Sequence, residues 1–237
     1  MTTILISGGD GNLAKEIVKA NNGYNIIALP KSSLNINDKD ELDKIINEVK
    51  PNIFIHTAAL TRPMIKHITH PEISIETNII GTSNIVLACM KKNIKLIYIS
   101  TDYVYPCTKG NYSEEDSLLP VNEYAWSKLG GECAVNLYKN SLILRMALCQ
   151  QPFPHPKALV DIKKSYLYMD EAAKIVLKLI NEKGIINVGG ETMTPFEFAK
   201  KTNSNLEKIS LEEIGDVKMG KDASMNISKL KNILNEL

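Results

Sequence analysis

The segment TILISGGDGNLA, residues 3–14, decides the fold of this chain. Its first five residues, Thr3–Ser7, are mostly β-branched or apolar and predict a short buried strand. The glycines of the GGDG segment then interrupt the run, and a helical pattern follows as far as Ala20. A strand that turns through glycines directly into a helix is the opening of a doubly wound α/β fold.

The glycine turn predicts a dinucleotide site. Gly8 permits a tight turn out of the strand, and Gly11 lets the backbone approach a pyrophosphate. Ala14 is small enough for close packing of helix on strand, and the free N–H groups at the helix N-terminus attract the anion. An ordinary β–α turn is the alternative, but the position between a first strand and a helix favours dinucleotide binding.

The rest of the first 145 residues alternates between short apolar runs and longer helical patterns. Asp38 is expected to N-cap a helix, with Glu41 as its capping-box partner. Strands that alternate with helices of ten or more residues predict an α/β fold, a doubly wound parallel sheet of the Rossmann type. The expected strands after the first lie at 24–29, 52–56, 95–100 and 142–145, and the longest expected helix fills 72–92.

The alternation ends near Arg145, and prolines between 150 and 156 exclude regular structure there. We therefore predict an NAD(P)-binding Rossmann domain over 1–145 and a small C-terminal substrate lobe over 146–237, with segments that return to the first domain. Those segments are a helix at 169–180, a strand at Gly184–Val188, a helix start at 195–201 and a closing helix at 227–237.

Composition narrows the class of protein. The 237 residues are 44% hydrophobic and 23% charged, and the formal net charge of +1 gives no electrostatic reason to expect nucleic acid or an anionic membrane as partner. No apolar run approaches the ~18 residues of a membrane span, and the N-terminus lacks the basic region of a signal peptide. Four cysteines without paired spacing are expected to be reduced thiols of a cytoplasmic protein.

A candidate proton donor lies in the segment EYAWSK, residues 123–128, after a long loop at 101–122. In a helix, Tyr124 and Lys128 share one face, and a nearby ammonium group would lower the phenol pKa towards the working pH. Taken alone, most such pairs are solvated surface residues, so the assignment depends on the rest of the chain.

Cofactor choice is normally set at the end of the second strand, where an acidic residue binds the ribose of NAD. This chain has LPKSS at 29–33, with no acid. Lys31 and Ser32 could instead meet the 2′-phosphate of NADP, because a cation and short hydroxyl donors suit a dianion. The prediction is NADP, with NAD as the second choice; a solvated turn lysine is the alternative reading of Lys31.

Several motifs together resemble one family. SGGDGNLA at 7–14 resembles the T-G-x-x-G-x-x-G/A turn of extended short-chain dehydrogenases/reductases, and HTAALT at 56–61 and NIIGT at 78–82 resemble their N-x-A-A-x-T and N-x-x-G-T segments. STDYVY at 100–105 is similar to the S-T-D-Y-V-F segment of the dTDP-4-dehydrorhamnose reductase family. The stretch 114–132 resembles that family's E-x-D-x-x-x-P-x-N-x-Y-x-x-S-K-x-x-x-E block, and the likeness extends over nearly the whole chain.

The resemblance implies an NADP-dependent reductase of a 4-keto-6-deoxy sugar nucleotide. Tyr124 would donate the proton as NADPH delivers hydride, Lys128 would lower the Tyr124 pKa and bind the nicotinamide ribose, and Thr101 would hold the substrate oxygen. A non-catalytic NADP-binding regulatory subunit of the same fold is the alternative, since the regulatory subunit of methionine adenosyltransferase looks like this family. The implied partner is a nucleotide sugar rather than nucleic acid or membrane, and a homodimer is left open.

The resemblance also implies which residues line the site. Asn78 has a second reading, as a buried amide that caps local backbone. The cofactor residues would be Gly8, Gly11, Asn12, Leu13, Lys31, Ser32, Asn35, Ile36, Ala58, Ala59, Leu60, Thr61 and Asn78, with Tyr124 and Lys128. The substrate would meet Thr101, Asp102, Tyr103 and Leu148.

The chain departs from the family pattern in the substrate lobe. The stretch between Arg145 and Met169 is shorter than in typical sugar-nucleotide reductases, so the lobe is expected to be truncated. The family's R-T-S-W-V-Y-G segment reads RMALCQQ at 145–151, so a small or differently held substrate is expected. Tyr103 stands where bifunctional epimerase–reductases carry a cysteine, which argues against epimerase activity, and Cys107 is read as an ordinary thiol.

Two further groups of residues have open readings. The histidines at 56, 67 and 70 match no zinc spacing, so no metal site is predicted. Arg62 and Lys66 follow the third strand on the rim where ligands of such sheets bind, and they either hold a substrate phosphate or face water.

Overall fold

The computed structural model describes residues 1–215 and 218–236. Its strands are β1 Thr3–Ser7, β2 Asn25–Leu29, β3 Ile53–His56, β4 Lys95–Thr101, β5 Ser141–Met146, β6 Leu148–Cys149, β7 Lys157–Leu159, β8 Leu167–Tyr168, β9 Gly184–Val188 and β10 Glu207–Ile209. Its helices are α1 Asn12–Lys19, α2 Lys39–Val49, α3 Lys66–Thr69, α4 Pro71–Ser74, α5 Thr82–Lys92, α6 Glu123–Asn136, α7 Met169–Lys178, α8 Pro195–Lys200, α9 Leu211–Ile214 and α10 Ser228–Glu236. A π-helical stretch, Ile75–Gly81, joins α4 to α5, and Asp102–Val104 is a 3-10 turn.

Six parallel strands form the central sheet, in the order β2-β1-β3-β4-β5-β9. The strand order reverses between β1 and β3, and the loops that follow these two strands diverge at their carboxyl ends. That reversal is the topological switch point, where open α/β sheets bind ligands. The predicted doubly wound parallel sheet of the Rossmann type is confirmed.

Side chains of the central strands alternate between two apolar cores, one on each face. Ile4 and Ile6 of β1 pack with α1, α7 and α10, whereas Leu5 packs with α2 and α5 on the other face. Phe54 of β3 is fully buried on the same side as Leu5. A sheet covered on both faces explains why its strands read as nearly continuous apolar runs.

A buried polar network attaches α6 to the middle of the sheet. Glu132 on α6 pairs with the Arg145 guanidinium on β5, and both side chains are almost fully buried. Ser100 on β4 donates to the second Glu132 oxygen at 2.6 Å. Arg145 also donates to the Tyr105 hydroxyl at 2.8 Å, and that hydroxyl donates to Asn187 on β9 at 2.8 Å. The network therefore joins α6 to three adjacent strands.

The C-terminal third contributes to both parts of the molecule. Strand β9 is an edge of the central sheet, α7 packs against α1, and α10 packs beside β9. Two small parallel pairs, β6 with β8 and β7 with β10, lie outside that sheet. The division at residue 145 stays a prediction, while the returning strand and helices lie where the sequence placed them.

Some local expectations need correction. The Asp38 side chain caps α2, but Glu41 accepts the Asn35 N–H at 3.0 Å instead of completing a capping box. The strands β6, β7, β8 and β10 were not predicted, because two or three residues are too few to show a periodicity. The last residue of the helix expected at 227–237, Leu237, lies outside the described residues.

One helical segment bears on the expectation that no apolar run approaches the length of a membrane span. Among the described residues, one helical segment, Pro71–Lys92, is long and apolar enough to cross a bilayer by length and composition. Half of its most apolar window is buried inside the fold, where Ile85, Ala88 and Cys89 belong to the core. Packing against the sheet accounts for its apolar character.

The Glu132–Arg145 pair generates a stability prediction. Glu132→Gln should lower the free energy of unfolding by about 3–5 kcal/mol, because one charge of a buried pair is left uncompensated. The double variant Glu132→Leu/Arg145→Met should lose less than either single variant. Urea denaturation measures both.

The exposed pair of Lys91 and Asp43, at 2.9 Å, is the matched control. Asp43→Asn should change the free energy of unfolding by less than ~1 kcal/mol, since solvent screens that pair. Equal effects of Glu132→Gln and Asp43→Asn would show that the buried network does not hold α6.

Candidate active site

The glycine turn forms a cradle at the N-terminus of α1. Gly8 has φ of +73°, and a Cβ there would lie 2.8 Å from the Ala58 Cα, so both the conformation and the space require glycine. Gly11 is the N-cap residue, and no side chain caps the helix. The first N–H groups of α1 are therefore free of side-chain acceptors, as a pyrophosphate site requires.

The loop after β3 is held by Asn78 from the π-helical stretch. The Asn78 amide oxygen accepts the Leu60 N–H at 2.8 Å, and its nitrogen donates to the Leu60 carbonyl at 3.0 Å and to the Ser127 hydroxyl at 2.8 Å. Both amide protons are thus used inside the protein. These contacts favour the second reading of Asn78, a buried amide that fixes the loop rather than a cofactor ligand.

The residues predicted near the adenine end lie apart from the catalytic side chains. Lys31 and Ser32 are exposed after β2. Ile36 is buried in the core, and Asn35 bonds locally to Glu41 and Asn37. The side chain of Ile36 therefore has a packing role here, and the assignment of Asn35 and Ile36 to the adenine stays a prediction.

A continuous cleft of about 1150 Å³ runs from the α1 turn along the carboxyl ends of β3, β4 and β5 to the substrate lobe. Its described lining does not include the predicted residues Gly8, Ala58, Leu60 and Asn78. The cleft collects the predicted residues Gly11, Asn12, Leu13, Ala59, Thr61, Thr101, Asp102, Tyr103, Tyr124, Lys128 and Leu148. Arg62 also lines it, so of the two rim cations it is the one placed to meet a substrate.

Tyr124 enters the cleft from the first turn of α6. Asn122 caps this helix by accepting the Ala125 N–H at 2.9 Å, which fixes where the helix begins and where Tyr124 points. Burial raises the pKa of Tyr124 to about 12, and the Asp102 carboxylate adds to the rise. Lys164, the Thr101 hydroxyl and Arg62 act in the opposite direction.

The predicted lowering of the Tyr124 pKa by Lys128 is therefore wrong for this structure. Desolvation of the phenolate dominates, and the cations that oppose it most are Lys164 and Arg62. The Lys128 ammonium group instead lies 4.1 Å from the centroid of the buried Tyr98 ring. Burial lowers the pKa of Lys128 to about 7, although Glu132 partly opposes this shift.

Two cleft residues, Lys164 and Tyr166, were not predicted. The Lys164 ammonium group lies 2.8 Å from Asp102 Oδ2 and 3.6 Å from the centroid of the Tyr103 ring. The segment KKSYLY around them matches no motif that was recognised, and a lysine in a polar stretch is normally a surface residue. Lys164 is buried because the substrate lobe packs against the residues that follow β4, and the local sequence does not record that contact.

The histidines have structural partners. His56 joins β1 to α5 through the Ser7 hydroxyl at 2.9 Å and the Thr82 hydroxyl at 3.0 Å, and burial holds its pKa well below the usual range. His67 packs edge-on against Tyr124 and bonds the Ser74 hydroxyl at 2.7 Å. Over residues 1–215 and 218–236, no group of three or more metal-binding side chains is assembled.

The family model described as the RmlD substrate binding domain matches residues 1–151 of this chain. The chain belongs to this family. The resemblance to dTDP-4-dehydrorhamnose reductases that the sequence motifs indicated is thereby confirmed. A dTDP-4-dehydrorhamnose reductase of Bacillus anthracis, crystallised with NADP, superposes with a TM-score of 0.88 at 26% identity, over 99% of this chain and 92% of that one.

Two curated relatives extend the comparison. The dTDP-4-dehydrorhamnose reductase of Aggregatibacter actinomycetemcomitans is 33% identical over 154 residues, which cover 61% of this chain and about half, 51%, of that protein. Methionine adenosyltransferase 2 subunit beta of Xenopus laevis is 28% identical over 280 residues, which cover 97% of this chain and 81% of that protein. The relatives of this chain thus include a reductase and a subunit of a methionine adenosyltransferase.

The buried Lys128 generates a second stability prediction. Lys128→Met should raise the melting temperature at about pH 6, because the folded protein then no longer desolvates an ammonium group. The gain should shrink towards about pH 9.5. Above its folded pKa of about 7, Lys128 is neutral in the folded protein, so the cost of burying its charge falls as the pH approaches the unfolded pKa. Thermal unfolding at the two pH values measures this.

The exposed lysine variant Lys44→Met is the matched control and should show no such dependence. A lower melting temperature for Lys128→Met, or a gain independent of pH, would contradict the assignment of Lys128 as a strained buried cation.

Proposed function

We propose that this chain is an NADP-dependent reductase of a 4-keto-6-deoxy sugar nucleotide, with Tyr124 as proton donor. The observation that carries the proposal is the cleft itself. It joins the α1 turn, suited to a pyrophosphate, to the Thr101 hydroxyl, the Tyr124 phenol and the Lys128 amine within one space. A dinucleotide laid along the α1 turn would extend towards those three side chains.

The residues present fit a nicotinamide dinucleotide. The Gly8 conformation and the side-chain-free N-terminus of α1 leave room and donors for a pyrophosphate, and Asn12 and Leu13 line the same end of the cleft. Because the B. anthracis relative was crystallised with NADP, and because 29–33 carries Lys31 and no acid, NADP is the proposed form.

The chemistry follows from the positions of three side chains. Bound NADPH supplies the hydride. Thr101 offers its hydroxyl to the ketone oxygen, where negative charge develops, and Tyr124 donates a proton to the same oxygen. Lys128 would hold the nicotinamide ribose, and its pKa of about 7, close to neutrality, lets it take up or release a proton.

The substrate end of the cleft supports a ligand with both apolar and anionic parts. Leu148, Phe153 and Leu159 supply apolar surface, while Arg62, Lys157 and Lys218 bring positive charge to the same wall. Lys157 and Lys218 each pair with a glutamate, at 3.2 and 3.0 Å, on exposed surface. The phosphates of a nucleoside diphosphate can replace the glutamates as partners of these two lysines, because exposed ion pairs are weak. A sugar nucleotide is therefore the proposed substrate.

A second candidate function is a non-catalytic, NADP-binding regulatory subunit. The observation that favours it is the match to methionine adenosyltransferase 2 subunit beta over 97% of this chain. Retention of Thr101, Tyr124 and Lys128 in one cleft favours the reductase instead. Binding of NADPH without turnover of any ketone would select the second candidate.

The reductase proposal predicts the effect of removing one hydroxyl. With NADPH and a panel of 4-keto sugar nucleotides, the wild-type protein should consume nicotinamide absorbance. Tyr124→Phe should lower kcat by about a hundredfold or more, because general acid catalysis is lost while packing is kept. Tyr24→Phe, outside the cleft, is the control and should leave kcat unchanged.

The cofactor proposal has a binding test. Lys31→Ala should lower the NADPH-to-NADH affinity ratio by roughly tenfold, the value of one charge-assisted contact to a phosphate. Lys44→Ala, another exposed lysine, should not change the ratio. Fluorescence titration measures both affinities, and an unchanged ratio in Lys31→Ala would remove Lys31 from the site.

A further inference from the structure

Lys164 brings a second cation to the catalytic side chains. Its side chain is only 5% exposed, and its ammonium group lies 2.8 Å from Asp102 Oδ2. The same group stands 3.6 Å from the Tyr103 ring centroid and 5.0 Å from that of Tyr166. A buried lysine enclosed by a carboxylate and two aromatic rings is held in one place, in contrast to a solvated lysine.

The backbone of Lys164 is fixed by the substrate lobe. Its N–H donates to the Met193 carbonyl and its carbonyl accepts the Met193 N–H, both at 3.0 Å. The preceding Lys163 carbonyl accepts the Ala223 N–H at 2.9 Å. The charge therefore comes from the lobe, while Thr101 and Asp102 come from the end of β4.

Asp102 connects Lys164 to the catalytic hydroxyls. Its Oδ1 accepts the Thr101 hydroxyl at 3.0 Å, while the buried Oδ2 has the Lys164 ammonium group 2.8 Å away as its ion-pair partner. This placement makes Asp102 a support for Thr101, and its predicted contact with a substrate stays a prediction. Thr101 in turn favours the ionised form of the Tyr124 phenol, and both side chains line the same cleft.

We propose that Lys164 is a positioning residue of this site: its ammonium group holds Asp102 and Thr101 beside the Tyr124 phenol and offsets the negative charge that Tyr124 faces. The role at the ketone rests on the proposed reductase function, whereas the electrostatic coupling does not. A carboxylate neutralised by Lys164 is also a weaker acceptor, which leaves the Thr101 hydroxyl more available to a substrate oxygen.

The local charges agree with this role. Asp102 raises the pKa of Tyr124, and Lys164 is the foremost cation that lowers it. Although burial alone would lower the pKa of Lys164, Asp102 beside it holds that pKa well above its ordinary value, so Lys164 stays charged.

The other titratable groups around the phenol are Arg62 from the loop after β3, His67 from α3, Tyr98 from β4, and Glu123 and Lys128 from α6. Those around Lys164 are Tyr103, Tyr166, Cys107 and Cys149.

A fluorine titration tests the coupling without any turnover. Tyr124→3,5-difluorotyrosine brings the phenol into a pH range where the protein stays folded, and its ¹⁹F shift reports ionisation. Adding Lys164→Met should raise that pKa by about one unit or more, because Asp102 is then unopposed. Adding Asp102→Asn as well should reverse most of the rise, and Lys164→Arg should stay near the parent protein.

An unchanged pKa in Lys164→Met, or no reversal in the double variant, would overturn the proposal. If Lys164→Met does not fold, Asp102→Asn alone decides the question. It leaves Lys164 unbalanced and should lower the pKa at position 124, and no change would again overturn the coupling.

A kinetic measurement tests the role at the ketone. With a ketone that the wild-type protein reduces, Lys164→Met should lower kcat roughly tenfold, with KM little changed, and move the basic limb of the pH profile upward. A change in KM alone would reassign Lys164 to substrate binding. If the wild-type protein reduces no ketone, the proposed function fails, while the fluorine titration still decides whether Lys164 acts on Tyr124.

Discussion

The buried pair of Glu132 and Arg145 is the interaction on which the arrangement of this site depends. Both charges have left water, so each is tolerable only in the presence of the other, and together they fix α6 against β5. Tyr124 lies about two turns before Glu132 on the same helix, and Lys128 lies about one turn before it. The pair therefore sets where the proposed proton donor stands relative to the sheet.

A second buried charge pair, Lys164 with Asp102, lines the cleft itself. The first pair joins a helix to the sheet, and the second joins the substrate lobe to the end of β4. Thr101 and Tyr124 line the same cleft as the second pair. Buried ion pairs restrict the positions of the groups that they join, and a proton transfer to a ketone oxygen requires hydroxyl groups held in place.

Patterns of long elements were predictable from the sequence, and short or remote contacts were not. The glycine turn, the five Rossmann strands and the strand Gly184–Val188 carry strong local signals, because glycines and apolar runs act within a few residues. The substrate lobe is built from strands of two or three residues, whose pairing depends on chain segments far away. Lys164 meets Asp102 across 62 positions of sequence (164 − 102), a contact that no local pattern records.

The catalytic residues show the same difference between local sequence signals and long-range contacts. The resemblance pointed to Thr101, Tyr124 and Lys128, and the fold brings all three to one cleft. The electrostatic origin of the Tyr124 pKa was wrongly predicted, because spacing along a helix does not reveal how deeply a phenol is buried or which distant cation faces it. Burial and long-range pairing are properties of the folded chain.

A crystal structure of the Tyr124→Phe protein with NADP and a 4-keto sugar nucleotide tests the proposed reductase site most directly. We expect the nicotinamide ring beside Lys128 and the ketone carbon facing that ring. The ketone oxygen should lie within hydrogen-bond distance of the Thr101 hydroxyl and point at position 124. A nicotinamide outside this cleft, or a ketone bound away from Thr101, would contradict it.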